Sequence, residues 1–486
     1  MTLMSMHGRI LRAIGAGLVG QVLNIGGRLL LVPLFLTSWG AQAYGEWLIM
    51  SSATMWLAVA DLGGQVYFVN RLTAEWTRNA QKEFERTLAT GFVFFLIVGW
   101  LLLLFALISL NWPIAVWLGI VATPHDVVTI VLLLLAFQIA VSLPQGLLLG
   151  IFRAIGAQAT STMLGNAILV FQMIASCMVL LLGGGMVAMA VAQILPVLAV
   201  SGWAAVDLHV RLRGVRLFGL SLASADVARQ AFRPSLNFFG IQLAQAVVIQ
   251  GSVLTVGHTL GAVDVAIFST ARMLVNLAKQ FLGLISHSAW PEFTRLEAAQ
   301  DTVALSRLFK VVLRVSMLVA IAYVAVIETA GQELMGTWLR GQLTYDAGVV
   351  RLFSIYILFS VFGTVAGNVL MATNRHIMLA RWQLAGSLIA LAMCYAGTTL
   401  SGLSGGTAGL IIGEAVPLYA IASYLLARQK IGVSAGSLLQ ESVLLLVPAL
   451  LALLAPMAAV ATCVILGWQT WNDRRGKHAA LTCLER

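Results

Sequence analysis

Charge is scarce in this 486-residue chain: 10% of its residues are Asp, Glu, Lys or Arg, while 60% are hydrophobic. With a mean hydropathy of +0.94, that shortage excludes a soluble globular protein. Acids are the scarcer sign, 19 against 29 Lys and Arg, which leaves a net charge of +10. Cysteine is scarce as well. Of the four, Cys177 and Cys394 lie in apolar segments and neither Cys463 nor Cys483 has a partner at metal-ligand spacing, so there is no disulfide framework and no zinc signal. Long polar stretches are missing: the longest, around 209–234, leaves no room for a soluble catalytic domain. The chain also lacks a Walker A loop, GxSxG, HExxH, CxxC and any aspartate-rich metal motif. "LLGGGM" at 181–186 has no strand–turn–helix context and reads as a turn. An enzyme, a cofactor and a bound metal are therefore not expected.

What fills the chain is a series of apolar segments of membrane-spanning length. They fall near 14–37, 44–69, 89–110, 127–150, 160–182, 187–208, 235–257, 263–289, 311–330, 349–371, 382–399 and 406–427. A last block, 438–471, is either one long helix or a pair, giving 12 to 14 spans, with 14 the better fit to the charges. With both termini inside, all of the 29 basic residues except Arg28, Arg272, Lys279, Arg314, Arg340 and Arg351 fall on the inner side, as the positive-inside rule requires. The basic excess is thus topological and not a nucleic-acid footprint. The N-terminal "MTLMSMHGRILRAIGAG" has no small-residue cleavage site and is read as retained. Trp39, Tyr44, Trp47, Trp112 and Trp117 are expected to form an outer interfacial belt.

The sequence repeats itself at an offset of 221. Gly40-Ala41 matches Gly261-Ala262, Arg86 matches Arg307, Trp117-Leu118 matches Trp338-Leu339, and Pro196 matches Pro417. A shared offset for Trp and Pro, beside the commoner Gly, predicts an all-α polytopic protein of two homologous six-helix bundles. The expected divisions are 1–221, 222–437 and an appended helix pair with an inner tail at 438–486. An even number of spans per half implies a pseudo-two-fold axis along the membrane normal.

The polar residues inside the spans follow the same register. Gln21 and Asn24 of the first span correspond to Gln242 and Gln245 of the seventh. At about 100° per residue, Arg28 continues the face of Gln21 and Asn24. In the eighth span, Ser269, Arg272, Asn276, Lys279, Gly283 and Ser286 share one stripe, with Arg272 and Lys279 two turns, roughly 10 Å, apart. Ionisable residues at bilayer depth ordinarily face a protein interior or a water path. Two acids lie deep in the spans, Asp61 in the second and Glu414 in the twelfth. Two carboxylates for three cations predict a cavity of net positive character. Plainer readings stand beside this one: Arg28 could pair with Asp61 or snorkel, the four amides could be interhelical hydrogen-bond glue, and Asp61 and Glu414 could serve helix packing or ion coupling.

"AQAYGEWLIMSSATMWLAVADLGG" (41–64), followed by a basic inner loop, resembles the polysaccharide-transport branch of the multidrug/oligosaccharidyl-lipid/polysaccharide exporter superfamily, most of all its bacterial O-antigen and exopolysaccharide lipid-linked oligosaccharide flippases. The resemblance implies an alternating-access protein of the bacterial cytoplasmic membrane whose substrate is a polyprenyl-pyrophosphate oligosaccharide. It also implies that membrane lipids, a polymerase and glycosyltransferases are partners and that cavity cations, here Arg28, Arg272 and Lys279, hold the pyrophosphate. A lipid II flippase shares the basic cavity and is the nearest alternative. A drug or cation antiporter of the same fold is a further one, for which an acid in the first span is expected; here that span carries Arg28.

Overall fold

The computed structural model describes residues 3–372, 377–415 and Leu453, with the backbone alone at 3–11, 13–14, 233, 236–238, 241, 287–288, 291, 377–381 and 415. The block 438–471 and most of the twelfth span thus lie outside the described residues. Every regular element described is helical. The chain divides into two compact units, residues 1–266 and 267–486.

Unit 1 opens with α1 (Leu3–Met55), which holds the first span and the start of the second. They are separated at Gly40, whose φ of 75° and ψ of 171° belong to a region open to glycine alone. The second span then changes character. A 3-10 turn, Trp56–Asp61, leads through left-handed Leu62 and Gly63 into α2 (Gly64–Thr77). Because α2 runs to Thr77, Asp61 sits at a break midway along this helical run. Next come α3 (Gln81–Ser109), the single turn α4 (Ile114–Trp117), α5 (His125–Ala154), α6 (Gln158–Leu181), α7 (Met186–Arg211) and α8 (Ala225–Leu260). The core of the unit lies toward its basic loops. Phe68 and Leu72 of α2, Phe84, Leu88 and Phe95 of α3, Leu147, Ile151 and Phe152 of α5, and Leu208 of α7 are all essentially inaccessible. Small residues let these helices close up: a Cβ on Gly150 would strike Val69, and one on Gly91 would meet Leu147 and Phe68. The opposite faces are apolar and open, as at Trp100, Leu101, Leu104 and Leu182, the inverse of a soluble protein and the expected state of a lipid-facing surface.

In unit 2, α9 (Ala262–Ser288) starts just before the division and supplies the eighth span. It is followed by α10 (Trp290–Ala298), α11 (Thr302–Trp338), α12 (Ala347–Ala372) and α13 (Ile377–Leu410). The last is two helices joined at Ser401 and left-handed Gly402, continuing into a π-helical turn, Ile411–Ala415. Gly405, Gly409 and Gly413 recur every four residues, and a Cβ on any of them would run into Gly397, Met393 or Ala390 respectively. This small-residue stripe is why the two arms lie backbone to backbone.

Nine helical stretches among the described residues are long and apolar enough to cross a membrane. Two of them, Gly15–Thr77 and Trp382–Glu414, contain the breaks at Gly40 and Gly402 and so hold two of the expected spans each. The 27-residue α9, with its polar stripe, is not among the nine. The chain is an integral membrane protein.

The 221-residue register recurs in the backbone. Helix α2 ends at Thr77 and α10 at Ala298; α3 begins at Gln81 and α11 at Thr302; α4 ends at Trp117 and α11 at Trp338. Left-handed residues recur in pairs as well: Gly40 and Gly261 (φ 75° and 99°), Asn79 and Gln300 (55° and 54°), Gly119 and Arg340 (69° and 52°). Two departures have local causes. Pro113 lacks an N–H and interrupts the run between α3 and α4, where the counterpart Leu334 lets α11 continue. The break at 56–63 has no equivalent in α9, which is helical throughout.

The aromatic belt needs correction. Trp112 and Trp117 are exposed, but Tyr44 and Trp47 are buried, Tyr44 stacked on Phe35 at 5.1 Å and Trp47 edge-on to Trp39 at 5.9 Å. Each sits on the packed face of its helix, and the Trp39 indole donates to the Gly184 carbonyl at 3.0 Å.

Candidate functional site

The expected site residues fall in two groups, one per unit. In unit 1, Asp61 is buried at the helix break, and the break defines its partners. With the preceding turn in 3-10 geometry, the first amides of α2 have no helical acceptor, and Asp61 Oδ1 accepts the backbone N–H of Gln65 at 3.0 Å. Its other oxygen accepts from Gln242 Nε2 of α8 at 3.4 Å. Asp61 is therefore not the partner of Arg28. Gln242 serves as interhelical glue, and Gln65 completes the group by donating to the Leu143 carbonyl at 3.4 Å.

Arg28 is exposed and makes no hydrogen bond or ion pair with a described residue. Gln21 and Asn24 are half-buried and Gln245 is exposed. The Oδ1 of Asn24 is buried without a partner. The hydrogen-bond glue of this unit lies mainly elsewhere. Gln172 of α6 donates to the Gln193 carbonyl at 2.8 Å, and Gln193 Nε2 of α7 donates to Ser176 Oγ at 2.9 Å.

In unit 2, α9 carries Arg272, Asn276 and Lys279 on one stripe, all half-buried. The Arg272 guanidinium lies over the Phe268 ring, 5.7 Å from its centre. Lys279 reaches α12, where its Nζ donates to Tyr356 Oη at 2.7 Å and sits 4.5 Å from the centre of the same ring. Glu414 Oε1 of the π-helical turn lies 4.0 Å from the same Lys279 Nζ. Lysine, tyrosine and glutamate thus meet across α9, α12 and the π-helical turn. The lysine and glutamate side chains keep 37% and 24% of their surface open, so the group is reachable and not sealed. Two turns further along the α9 stripe, Ser286 accepts from Asn368 Nδ2 of α12 at 2.6 Å.

Glu414 therefore partners Lys279, which the sequence left open between packing and coupling. Tyr356 was missed, and its signal was a phenol among the apolar residues of "FSIYILFS". Also missed was Glu46, wholly buried, whose carboxylate accepts from the backbone of Val121, Ala122 and Thr123, from the Thr123 hydroxyl and from Gln42. No cluster of metal-ligating side chains occurs among the described residues.

No family model matches the chain, and none of the curated proteins matches it by sequence. Solved structures do match its fold. A multidrug resistance transporter of the MATE family, MOP superfamily, in its inward-facing conformation aligns with TM-score 0.72 at 14% identity, over 88% of this chain and 99% of that one. The lipid II flippase MurJ, in an inward closed conformation, aligns with TM-score 0.69 at 11% identity, over 96% and 99%. A MOP superfamily transporter from Pyrococcus furiosus, described as having a binding pocket of reverse polarity that suggests a different function, aligns with TM-score 0.61 at 13% identity, over 87% and 96%. The fold is shared with these transporters and this flippase.

Proposed function

We propose that this protein flips an anionic lipid-linked oligosaccharide, a polyprenyl-pyrophosphate repeat unit for surface polysaccharide, from the inner to the outer leaflet of the bacterial cytoplasmic membrane. The reading takes residues 1–221 and 222–437 as two halves related by a pseudo-two-fold axis, with 438–486 appended and both termini cytoplasmic, rocking in alternating access. Arg28, Arg272 and Lys279 are the phosphate-holding cations, with Gln21, Asn24, Gln242, Gln245 and Asn276 as polar lining. Charge-assisted hydrogen bonds from such groups replace hydration that a phosphate loses inside a protein. Polymerase and glycosyltransferases are the expected protein partners.

The observation that carries the reading is the fate of the acids. Asp61 bonds Gln65 and Gln242 and makes no ion pair with Arg28, and Glu414 is the one carboxylate beside Lys279 among the described residues. An arginine in the first span with no carboxylate partner among the described residues suits an anionic headgroup. Likeness to a lipid II flippase supports the same chemistry and keeps that substrate as the second reading. The likeness to multidrug transporters favours a drug or cation antiporter, against which Arg28 in the first span, where an acid is expected, argues.

The test is complementation. In a strain lacking this protein, Arg28→Ala, Arg272→Ala and Lys279→Ala are scored for surface polysaccharide, with membrane abundance measured and Arg28→Lys and Arg272→Lys run in parallel. Loss of polymer at normal abundance, partly restored by lysine, is the expected result. Full polymer in all three alanine variants refutes the site. Intact polymer in the deletion strain itself refutes the substrate and turns attention to drug export.

A further inference from the structure

Lys279 presents a difficulty to the function just proposed, on which this inference rests: a cation meant for phosphate already has a carboxylate beside it. We propose that Glu414 is the resident counter-ion of the Lys279 anion seat, that an anionic headgroup enters by exchange with it, and that its return expels the headgroup. Three features of the geometry support an exchange and not a fixed structural pair.

First, the pair is loose. At 4.0 Å the ammonium and Glu414 Oε1 are in ionic contact without a direct hydrogen bond. The shortest bond of Lys279 goes instead to the neutral Tyr356 hydroxyl, at 2.7 Å. An ammonium has three protons, so Tyr356 can keep one while another anion takes the place of the carboxylate. Second, the group is open: both charged side chains retain exposed surface, so an incoming anion has part of the ammonium to contact while the carboxylate is still in place. Third, Glu414 stands on a π-helical turn, Ile411–Ala415. Such turns are rare and concentrate at functional sites, and this one follows the glycine stripe of the α13 hairpin, whose contacts fix its backbone against Ala390. The carboxylate can therefore swing on its own side-chain torsions while the backbone stays held.

A carboxylate that is displaced on entry and returns on release makes a signed prediction that a packing residue does not. Removing its charge strengthens binding and weakens transport together. The probes are inorganic pyrophosphate and farnesyl pyrophosphate, titrated by calorimetry into the full chain in detergent, with polysaccharide export measured by the complementation assay. Glu414→Gln is expected to bind farnesyl pyrophosphate about tenfold tighter than wild type, a change worth ~1.4 kcal/mol, while export falls. Glu414→Asp, which keeps the charge, is expected to restore both. Tyr356→Phe should weaken binding in either background, since Lys279 then loses its fixed neutral partner. Glu414→Gln binding no tighter than wild type at normal abundance overturns the exchange, as does weaker binding accompanied by full rescue of abundance in Glu414→Asp. The two levels fail separately. If Lys279→Ala leaves pyrophosphate binding unchanged, the phosphate seat itself is wrong; if Lys279→Ala abolishes binding and Glu414→Gln does not strengthen it, the seat stands and the exchange fails. Binding of inorganic pyrophosphate equal to that of the lipid probe would assign the seat to the headgroup alone, and binding of neither probe to wild type overturns both.

Discussion

Removing the carboxylate of Glu46 is the sharpest test of how this fold holds its second span to the loop before α5. The side chain has no exposed surface. It accepts backbone N–H groups from Val121 at 3.1 Å, Ala122 at 2.8 Å and Thr123 at 2.9 Å, together with the Thr123 hydroxyl and Gln42 Nε2 at 3.0 Å. These amides immediately precede the first turn of α5, where unsatisfied donors and the positive end of the helix dipole favour an anion. Hydrogen bonds to a charged group contribute about 1.5–3 kcal/mol each, and such contributions do not add fully. Val121 and Ala122 are exposed in the loop, so water can re-satisfy part of what Glu46→Ala abandons. Together these put the loss near 3–5 kcal/mol. In Glu46→Gln one oxygen keeps its donors, but the new NH2 faces the Thr123 amide, donor against donor, so a loss of about 1–2 kcal/mol is expected. The assay is the monodisperse fraction recovered after heating in detergent, paired with hydrogen exchange at 121–123. The expected order of stability is wild type, Glu46→Gln, Glu46→Ala, with faster exchange confined to those amides. Unchanged melting and unchanged exchange in Glu46→Ala would refute the anchoring argument.

Two glycine substitutions probe the backbone directly. Gly40→Ala should lower thermal stability by about 1–3 kcal/mol, because φ 75° with ψ 171° is closed to residues with a Cβ; Gly15→Ala, with open space around its Cβ position, is the matched control and should be neutral or slightly stabilising. Gly413→Leu should abolish accumulation in the membrane, since even a Cβ there would enter the backbone of Ala390; abundance near wild type on an immunoblot would show that the α13 hairpin is looser than described.

The fold was legible because bilayer and helix impose long-period patterns. Span positions and the 221-residue register are both statistical properties of many residues, and single exceptions do not erase them. Asp61 shows what was less legible. Its acidity and depth stood out in "VADLGGQ", but its role depends on the 3-10 turn before it and on Gln242 181 residues away, and neither is encoded locally. Glu46 escaped notice for a related reason. It lies beside Trp47 at a span end, where a carboxylate ordinarily reaches water; only the fold of 121–123 turns it into a buried acceptor. Tyr356 looked like one more apolar residue until Lys279 was brought against its hydroxyl.

The repeat also separates structural polarity from functional charge. At the 221 offset, Arg28 stands opposite Ile249, Arg272 opposite Ser51, Lys279 opposite Ala58, and Glu414 opposite Gln193. The last pair is the most informative. Gln193 joins α7 to α6 through Ser176 at 2.9 Å, an uncharged bond that satisfies two polar side chains across a helix pair at low desolvation cost. An amide at this position is enough to bond α7 to α6. Its counterpart has a carboxylate instead, and that carboxylate comes with a lysine where the other half has alanine. A buried or half-buried ion pair gives little net stability over a neutral substitute, so packing does not account for the exchange of amide for acid. The same logic covers Arg28 and Arg272, whose counterparts Ile249 and Ser51 occupy the same register without charge. What the two halves share is glycine at the turns, proline within spans and tryptophan at helix ends. What differs at Arg28, Arg272, Lys279 and Glu414 is charge at membrane depth, and that is where the work of the protein is to be sought.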